Sequence, residues 1–159
     1  WRETRAQDSW LYFESIEGFP LDREQLKLIH EDWKELKALS KMLLAAKNSS
    51  GELLPDWQEW PEERITLRLH HAEVLPALRV MQSNQVDAWF LDGFSPKKNP
   101  EMWTRDVLRE VARITCPQGT CATYTAASHV RNGLEDSGFV MQKIKGFAQK
   151  REMLHGCKL

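Results

Sequence analysis

The sequence predicts an α/β fold, an open sheet whose strands alternate with helices. Short runs rich in β-branched and aromatic residues recur at residues 11–16, 65–69, 86–91 and 120–125. The segments between them carry apolar residues at the three- and four-residue steps of amphipathic helices. Strands separated by helices in this way form sheets, with right-handed crossovers wherever the strands are parallel. At 159 residues the chain is expected to be a single domain, residues 1–159, long enough for a sizeable core.

In chain order, residues 11–16 form the first strand. A helix then starts at Asp22, which can cap it, with Gln25 at the third helical position. Leu21 and Leu26 have the spacing of a hydrophobic staple. Leu26, Ile29, Trp33, Leu36, Leu39 and Leu43 continue one apolar stripe to about Ala46, and Asn48-Ser49-Ser50-Gly51 ends it. An irregular loop through Pro55, Trp57, Trp60 and Pro61 follows; its tryptophans either anchor it to the core or stack on bases. Residues 65–69 are a strand and 73–82 a short helix. Residues 86–91 are short and apolar, β-branched or aromatic, and read as a buried strand. Thr104 caps a helix with Val107, Leu108, Val111 and Ile114 on one face. Cys116-Pro117-Gln118-Gly119 is a turn, residues 120–125 a strand, and 128–136 a helix closed by Gly138. Residues 139–144 and 152–157 finish as an antiparallel pair.

Bulk composition narrows the class. Hydrophobic content of 42% and charged content of 28% are those of a soluble globular protein. No apolar run approaches the roughly 18 residues that a membrane span needs, and no signal peptide is recognisable; the expectation is a cytoplasmic protein with no membrane partner. Cys116, Cys121 and Cys157 are odd in number and lack CxxC spacing, which argues for reduced thiols rather than a disulfide framework or a zinc site. The net charge of −1 hides an asymmetry: residues 1–69 carry 10 Lys+Arg against 14 Asp+Glu, and residues 70–159 carry 12 against 9. Lys143, Lys145, Lys150, Arg151 and Lys158 gather near the end with only Glu152 opposing them. Such a patch is either a solvated face or a surface that meets phosphates.

Three segments carry chemistry. The strand at 86–91 runs into Asp92-Gly93-Phe94-Ser95-Pro96-Lys97-Lys98-Asn99-Pro100-Glu101-Met102-Trp103, a carboxylate at the carboxyl end of a strand beside a proline-studded loop. Open α/β sheets bind their ligands at such ends; a loop-solvated aspartate or a helix cap is the plainer alternative. Phe13-Glu14-Ser15-Ile16-Glu17-Gly18-Phe19-Pro20 repeats the order of strand, acid, glycine and proline, and Lys145-Gly146-Phe147-Ala148-Gln149-Lys150-Arg151-Glu152-Met153-Leu154 stands near the end. Together and in this order, these segments resemble the methyltransferase domain of the bifunctional bacterial enzymes that complete 5-methylaminomethyl-2-thiouridine at the wobble position of tRNA. The resemblance runs from about Leu11 to Gly156 and is most specific over residues 87–103.

The resemblance implies a Rossmann-like class I methyltransferase sheet, S-adenosylmethionine as cofactor, and the anticodon region of tRNA as partner. It also implies an FAD-dependent oxidoreductase domain elsewhere in the full-length protein. Asp92 matches the family's catalytic acid. It would accept a hydrogen bond from the substrate amine and take its proton, or orient the amine while water takes it; partial desolvation would strengthen it as a base. Glu17 matches the acid that receives the cofactor's ribose hydroxyls, a role it fits better than mid-strand Glu14, which is expected to face solvent; a surface glutamate at a turn is the alternative. Where the family usually has Gly-Asp after its third strand, this chain has His70-His71, and His71 could substitute as an acceptor for the adenine amino group. Neighbouring strand residues point to opposite faces, which argues against the two histidines sharing a metal. Phe94, Lys97 and Lys98 would contact the RNA, with Asn99 beside them. Trp103 would either flank the wobble base or pack in the core. Lys150 and Arg151 match the family's basic pair, although Ala148 and Gln149 replace its usual glycine and arginine. Tyr124 and Thr125 would line the same cleft.

The family's first strand and glycine-rich cofactor loop have no counterpart here: the sequence starts at Trp1 just before the match to the second strand, and no GxGxG-like cluster occurs. The sheet is therefore expected to be incomplete, its missing strand falling between residues 11–16 and 86–91, and residues 1–159 alone to be impaired as an enzyme. Two other functions stay open: a degenerate relative that binds RNA or protein without catalysis, and a methyltransferase with a different acceptor.

Overall fold

The computed structural model describes residues 6–45, 58–146 and 151–159, and the chain falls into two compact units, Trp1–Glu73 and Val74–Leu159. The first unit comprises β1 (Leu11–Glu17), α1 (Arg23–Glu31), α2 (Lys37–Ala45), β2 (Gln58–Trp60) and β3 (Ile65–His71). Its sheet has the order β1-β3-β2. β1 and β3 are parallel, Leu11 opposite Ile65 and Glu17 opposite His71, and β2 adds antiparallel to β3.

The predicted capping box opens α1. The Asp22 carboxylate accepts from the Gln25 amide at 2.8 Å, and the Gln25 side chain accepts from the Asp22 amide at 2.9 Å. The single helix expected to run to Ala46 is broken instead. Trp33 leaves helical geometry (φ −110°, ψ 76°) and a 3-10 turn follows at Lys34–Leu36. His30 Nδ1 lies 2.9 Å from Ser40 Oγ; in a continuous helix ten residues span about 15 Å, so this contact requires the break. The apolar spacing survives it, which is why periodicity concealed it. The loop expected through Trp60 also holds a short strand, β2. Asn48 to Gly51, Pro55 and Trp57 lie outside the described residues.

The second unit comprises α3 (Val74–Val80), β4 (Val86–Phe90), a 3-10 turn (Pro100–Trp103), α4 (Arg105–Ile114), β5 (Thr115–Thr123), α5 (Ser128–Glu135), β6 (Phe139–Lys145) and β7 (Glu152–Lys158). The sheet order is β4-β5-β7-β6, with β4 parallel to β5 and the rest antiparallel. The predicted closing pair is present as β6 and β7. The predicted turn at Cys116 to Gly119 is absorbed into β5 as an excursion: Val86 pairs with Thr115 and Ala88 with Thr120, and Gln118 has a φ of 65°.

Thr104 caps α4 as predicted, its hydroxyl accepting from the Val107 amide. α4 packs against α3 and α5. Leu78, Leu108, Val111, Ile114, Val130, Leu134 and Leu154 are buried almost completely, each contributing about 1.5–3 kcal/mol of transfer free energy. Arg113 ties the end of α3 to α4, its guanidinium donating to the carbonyls of Leu78 and Met81 at 3.0 and 2.9 Å and to Ser83 Oγ at 3.0 Å. Among the described residues, every buried apolar side chain lies at Ala77 or later, and α1 and α2 bury none. The core belongs to the second unit.

β4 is not the buried strand expected. Asp87, Ala88 and Phe90 are exposed, Phe90 at 74%, because β4 stands at the edge of its sheet. Val86 and Trp89 are half-buried, the Trp89 indole donating to Thr115 Oγ1 at 2.9 Å.

Candidate active site

In the second unit, chemistry collects at one end of the sheet. The last rung between β4 and β5 is the Leu91 amide donating to the Ala122 carbonyl at 2.9 Å. Asp92 follows at once. It is exposed, it caps no helix, and it makes no hydrogen bond or ion pair with another described residue. Among the described residues, nothing competes with a ligand for this carboxylate.

The loop beyond Asp92 is folded on itself. The Ser95 carbonyl accepts from the amides of Lys98 and Asn99 at 2.8 and 3.0 Å. Lys97 and Lys98 are exposed, and so is the Phe94 ring at 67%. Trp103 is only 7% exposed, which settles its alternative in favour of the core and removes it as a stacking surface. β5 ends beside this loop. Cys121 and Thr123 are buried, Tyr124 is 45% exposed, and the Thr125 amide donates to Thr123 Oγ1 at 3.3 Å. β7 runs antiparallel to β5, with Leu154 opposite Thr123, so its start, and Arg151 with it, lies at the same end of the sheet. Glu152, the one acid opposing this basic segment, accepts from Lys143 at 2.9 Å, and that hydrogen bond holds its carboxyl below the ordinary value. Lys150, Ala148 and Gln149 lie outside the described residues. Asp92, Phe94, Lys97, Lys98 and Arg151 are therefore brought to one sheet end, together with Tyr124 and Thr125. Phe90, on β4, is an exposed aromatic in a run whose composition predicts a buried strand.

In the first unit, the register sets Glu17 directly opposite His71 at the carboxyl ends of β1 and β3. Both are exposed. Glu17 Oε1 accepts from the Phe19 amide at 2.9 Å, which leaves its second oxygen to face a ligand. A carboxylate acceptor beside an imidazole suits the ribose hydroxyls and the base edge of a nucleoside. His70 points to the other face and lies 2.6 Å from Glu14 Oε2, both partly buried. Glu14 thus does not face solvent as expected, because a histidine two residues beyond its register partner reaches it. No helix among the described residues is long and apolar enough to cross a membrane.

The crystal structure of MNMC2 from Aquifex aeolicus matches with a TM-score of 0.70 at 22% identity, over 92% of this chain and 43% of that one. This chain therefore spans less than half of that structure's length. A possible exported protein from Bordetella parapertussis matches at a TM-score of 0.49 and 13% identity, over 91% of this chain and 52% of that one. An S-adenosylmethionine-dependent O-methyltransferase from Thermotoga maritima matches at 0.43 and 13%, over 92% and 49%. A family described as S-adenosyl-L-methionine-dependent methyltransferase matches residues 31–159, and the chain belongs to that family.

Proposed function

We propose that this chain is the methyltransferase part of a tRNA-modifying enzyme and that its acceptor is the primary amine of 5-aminomethyl-2-thiouridine at the wobble position. The observation that carries the reading is Asp92, exposed at the carboxyl end of β4 and unpaired among the described residues, within the segment 87–103 on which the resemblance is strongest. When bound, S-adenosylmethionine supplies an activated sulfonium methyl. Glu17 would accept its ribose hydroxyls and His71 its adenine amino group. The protein need provide no nucleophile; it must align the amine and keep it unprotonated, since an ammonium has no lone pair. Asp92 would accept a hydrogen bond from the amine and take its proton. Phe94 would stack on the base, while Lys97, Lys98, Lys150 and Arg151 would neutralise backbone phosphates of the anticodon region. Such a protein works in the cytoplasm.

The edges of β1 and β4, unpaired among the described residues, support a further part of the reading, that polypeptide from outside residues 1–159 supplies the rest of the cofactor site. An FAD-dependent oxidoreductase domain in the same polypeptide would then act on the same nucleoside. Calorimetric titration of S-adenosylmethionine into residues 1–159, and into the same chain lengthened upstream in its gene, tests the first point. Binding by the longer form alone is expected.

Asp92→Asn in the binding-competent form should lower methyl transfer to aminomethylated tRNA by about 10²-fold or more, with cofactor affinity unchanged. Full activity of that variant, or equal methylation of tRNA lacking the aminomethyl group, would refute the assignment. The rival is a relative that binds RNA or protein without catalysis, favoured by His70-His71 standing where Gly-Asp is usual; cofactor binding by neither form would support it.

A further inference from the structure

We infer that Trp103 is the positioning residue of the Asp92 loop, a role that rests on Asp92 being the catalytic acid. Asp92 has no side-chain partner among the described residues, so the direction of its carboxylate depends on the backbone that flanks it. On one side the Leu91 amide is fixed to the Ala122 carbonyl at 2.9 Å. On the other side the next two residues are both held by the 3-10 turn Pro100–Trp103. The Trp103 indole N–H donates to the Phe94 carbonyl at 2.9 Å. Gly93 lies against Met102 and Trp103 so closely that a β-carbon there would stand 2.9 Å from Met102 Cε and 3.3 Å from Trp103 Cζ2.

The anchor is itself buried, at the start of α4, whose Val107 and Leu108 are core residues. A loop whose functional side chains point to solvent is thereby tied to a helix whose apolar face is buried in the core of its unit. The same bond fixes the backbone of Phe94 while leaving its ring exposed, so Trp103 holds acid and aromatic in one frame. The sequence distance from Phe94 to Trp103, nine residues, is closed by the Ser95 turn, which keeps Lys97 and Lys98 outside the contact.

The test uses the whole protein. Lys97 and Lys98 are tryptic sites inside the loop. Trp103→Phe keeps an aromatic ring but removes the donor, and one hydrogen bond of ordinary strength corresponds to about a fivefold change in an opening equilibrium. Native-state trypsin cleavage after Lys97 or Lys98 should therefore rise about fivefold while cleavage after Lys143 stays unchanged. Unchanged loop cleavage overturns the anchor. Should the variant unfold and open all sites together, the wild-type protein decides by indole hydrogen exchange: Trp103 should be protected far beyond the half-exposed Trp33, and equal rates overturn the inference.

The positioning role then shows in kinetics. Trp103→Phe should lower kcat about tenfold, leave KM for S-adenosylmethionine within about twofold, and add little in the Asp92→Asn background, because both changes act through one carboxylate. A loosened loop with kcat unaltered overturns the positioning role. A loosened loop in a protein that methylates no tRNA at all leaves the anchor standing and sinks the proposed function instead.

Discussion

Gly156→Ala should destabilise the second unit, by an amount that follows from what surrounds Gly156. It sits in β7, an inner strand, directly opposite Cys121 on β5 and Met141 on β6. Those two side chains close over the glycine, their sulfurs 3.8 Å apart. A β-carbon there would overlap Met141 Sδ outright, stand 3.0 Å from Met141 Cε and 3.2 Å from Cys121 Sγ. Both neighbours are buried, so neither can swing into solvent. Overpacking of this kind costs about 1–3 kcal/mol. Alanine regains roughly 0.5–1 kcal/mol of the conformational entropy that a mid-strand glycine forfeits. The net expectation is a loss of about 1–2 kcal/mol, or a fall in Tm of about 3–8 °C for a chain of this size.

Urea unfolding, followed by the fluorescence of the inward-facing Trp89 and Trp103, measures it. Met141→Ala alone should cost about 2–5 kcal/mol through its cavity. Combined with Gly156→Ala it should cost clearly less than the two separate losses together, since the new methyl enters space the methionine has left. Strict additivity, or a Gly156→Ala protein as stable as its parent, would refute the steric account.

Two other outcomes can be checked on residues 1–159. Burial pushes the Cys121 thiol up to about 11; the folded chain therefore holds this proton more tightly than the unfolded chain does. The corresponding stability is full below the ordinary value of 9.0 and is lost as pH rises toward about 11, so Cys121→Ala should flatten alkaline unfolding curves, and an unchanged slope would refute the linkage. The isolated chain should self-associate with rising concentration in sedimentation velocity, Phe90→Lys should reduce this, and Ile144→Lys should not; a strictly monomeric parent would contradict the edge argument.

The elements legible in the sequence were those whose signals are local. The capping box at Asp22 and Gln25 and the Thr104 cap each depend on residues three positions apart, the paired strands β6 and β7 are neighbours in the chain, and each is present. The break at Trp33 was not legible, because the apolar stripe keeps its spacing on both sides and only the His30–Ser40 contact reveals the fold-back. Nor was the exposure of Phe90, which depends on whether a neighbouring strand covers it. In the site, the residue types at 92–98 were readable, as was Glu17 after its strand. Their grouping was not: that Arg151 comes to the sheet end of Asp92 follows from the antiparallel register of β7, and that Glu17 faces His71 follows from the parallel register of β1 and β3. Trp103 shows the limit of composition. The sequence favours the core for this tryptophan without excluding a base platform, and its 7% exposure and its bond to the Phe94 carbonyl decide.

The two edges of the larger sheet are built differently, and the difference bears on function. β6 forms one edge and carries Lys143 and Lys145 among its last three residues, the alternating charge with which natural sheets refuse further strands. β4 forms the other and reads Val-Asp-Ala-Trp-Phe, without lysine or proline and with an exposed Phe90. In the smaller sheet β1 is likewise an edge without lysine, its Tyr12 and Phe13 exposed at 66% and 44%. An edge strand left flat and apolar is a site for strand pairing, and selection against aggregation removes such edges unless something covers them. β6 ends in lysines, whereas the charged residues of β1 and β4 are only acids, Glu14 and Glu17 on β1 and Asp87 on β4. They are also the two strands whose carboxyl ends deliver Glu17 and Asp92. In each unit the lysine-free edge and the candidate ligand-binding acid thus fall on the same strand, so whatever covers β4 also borders Asp92, and whatever covers β1 also borders Glu17.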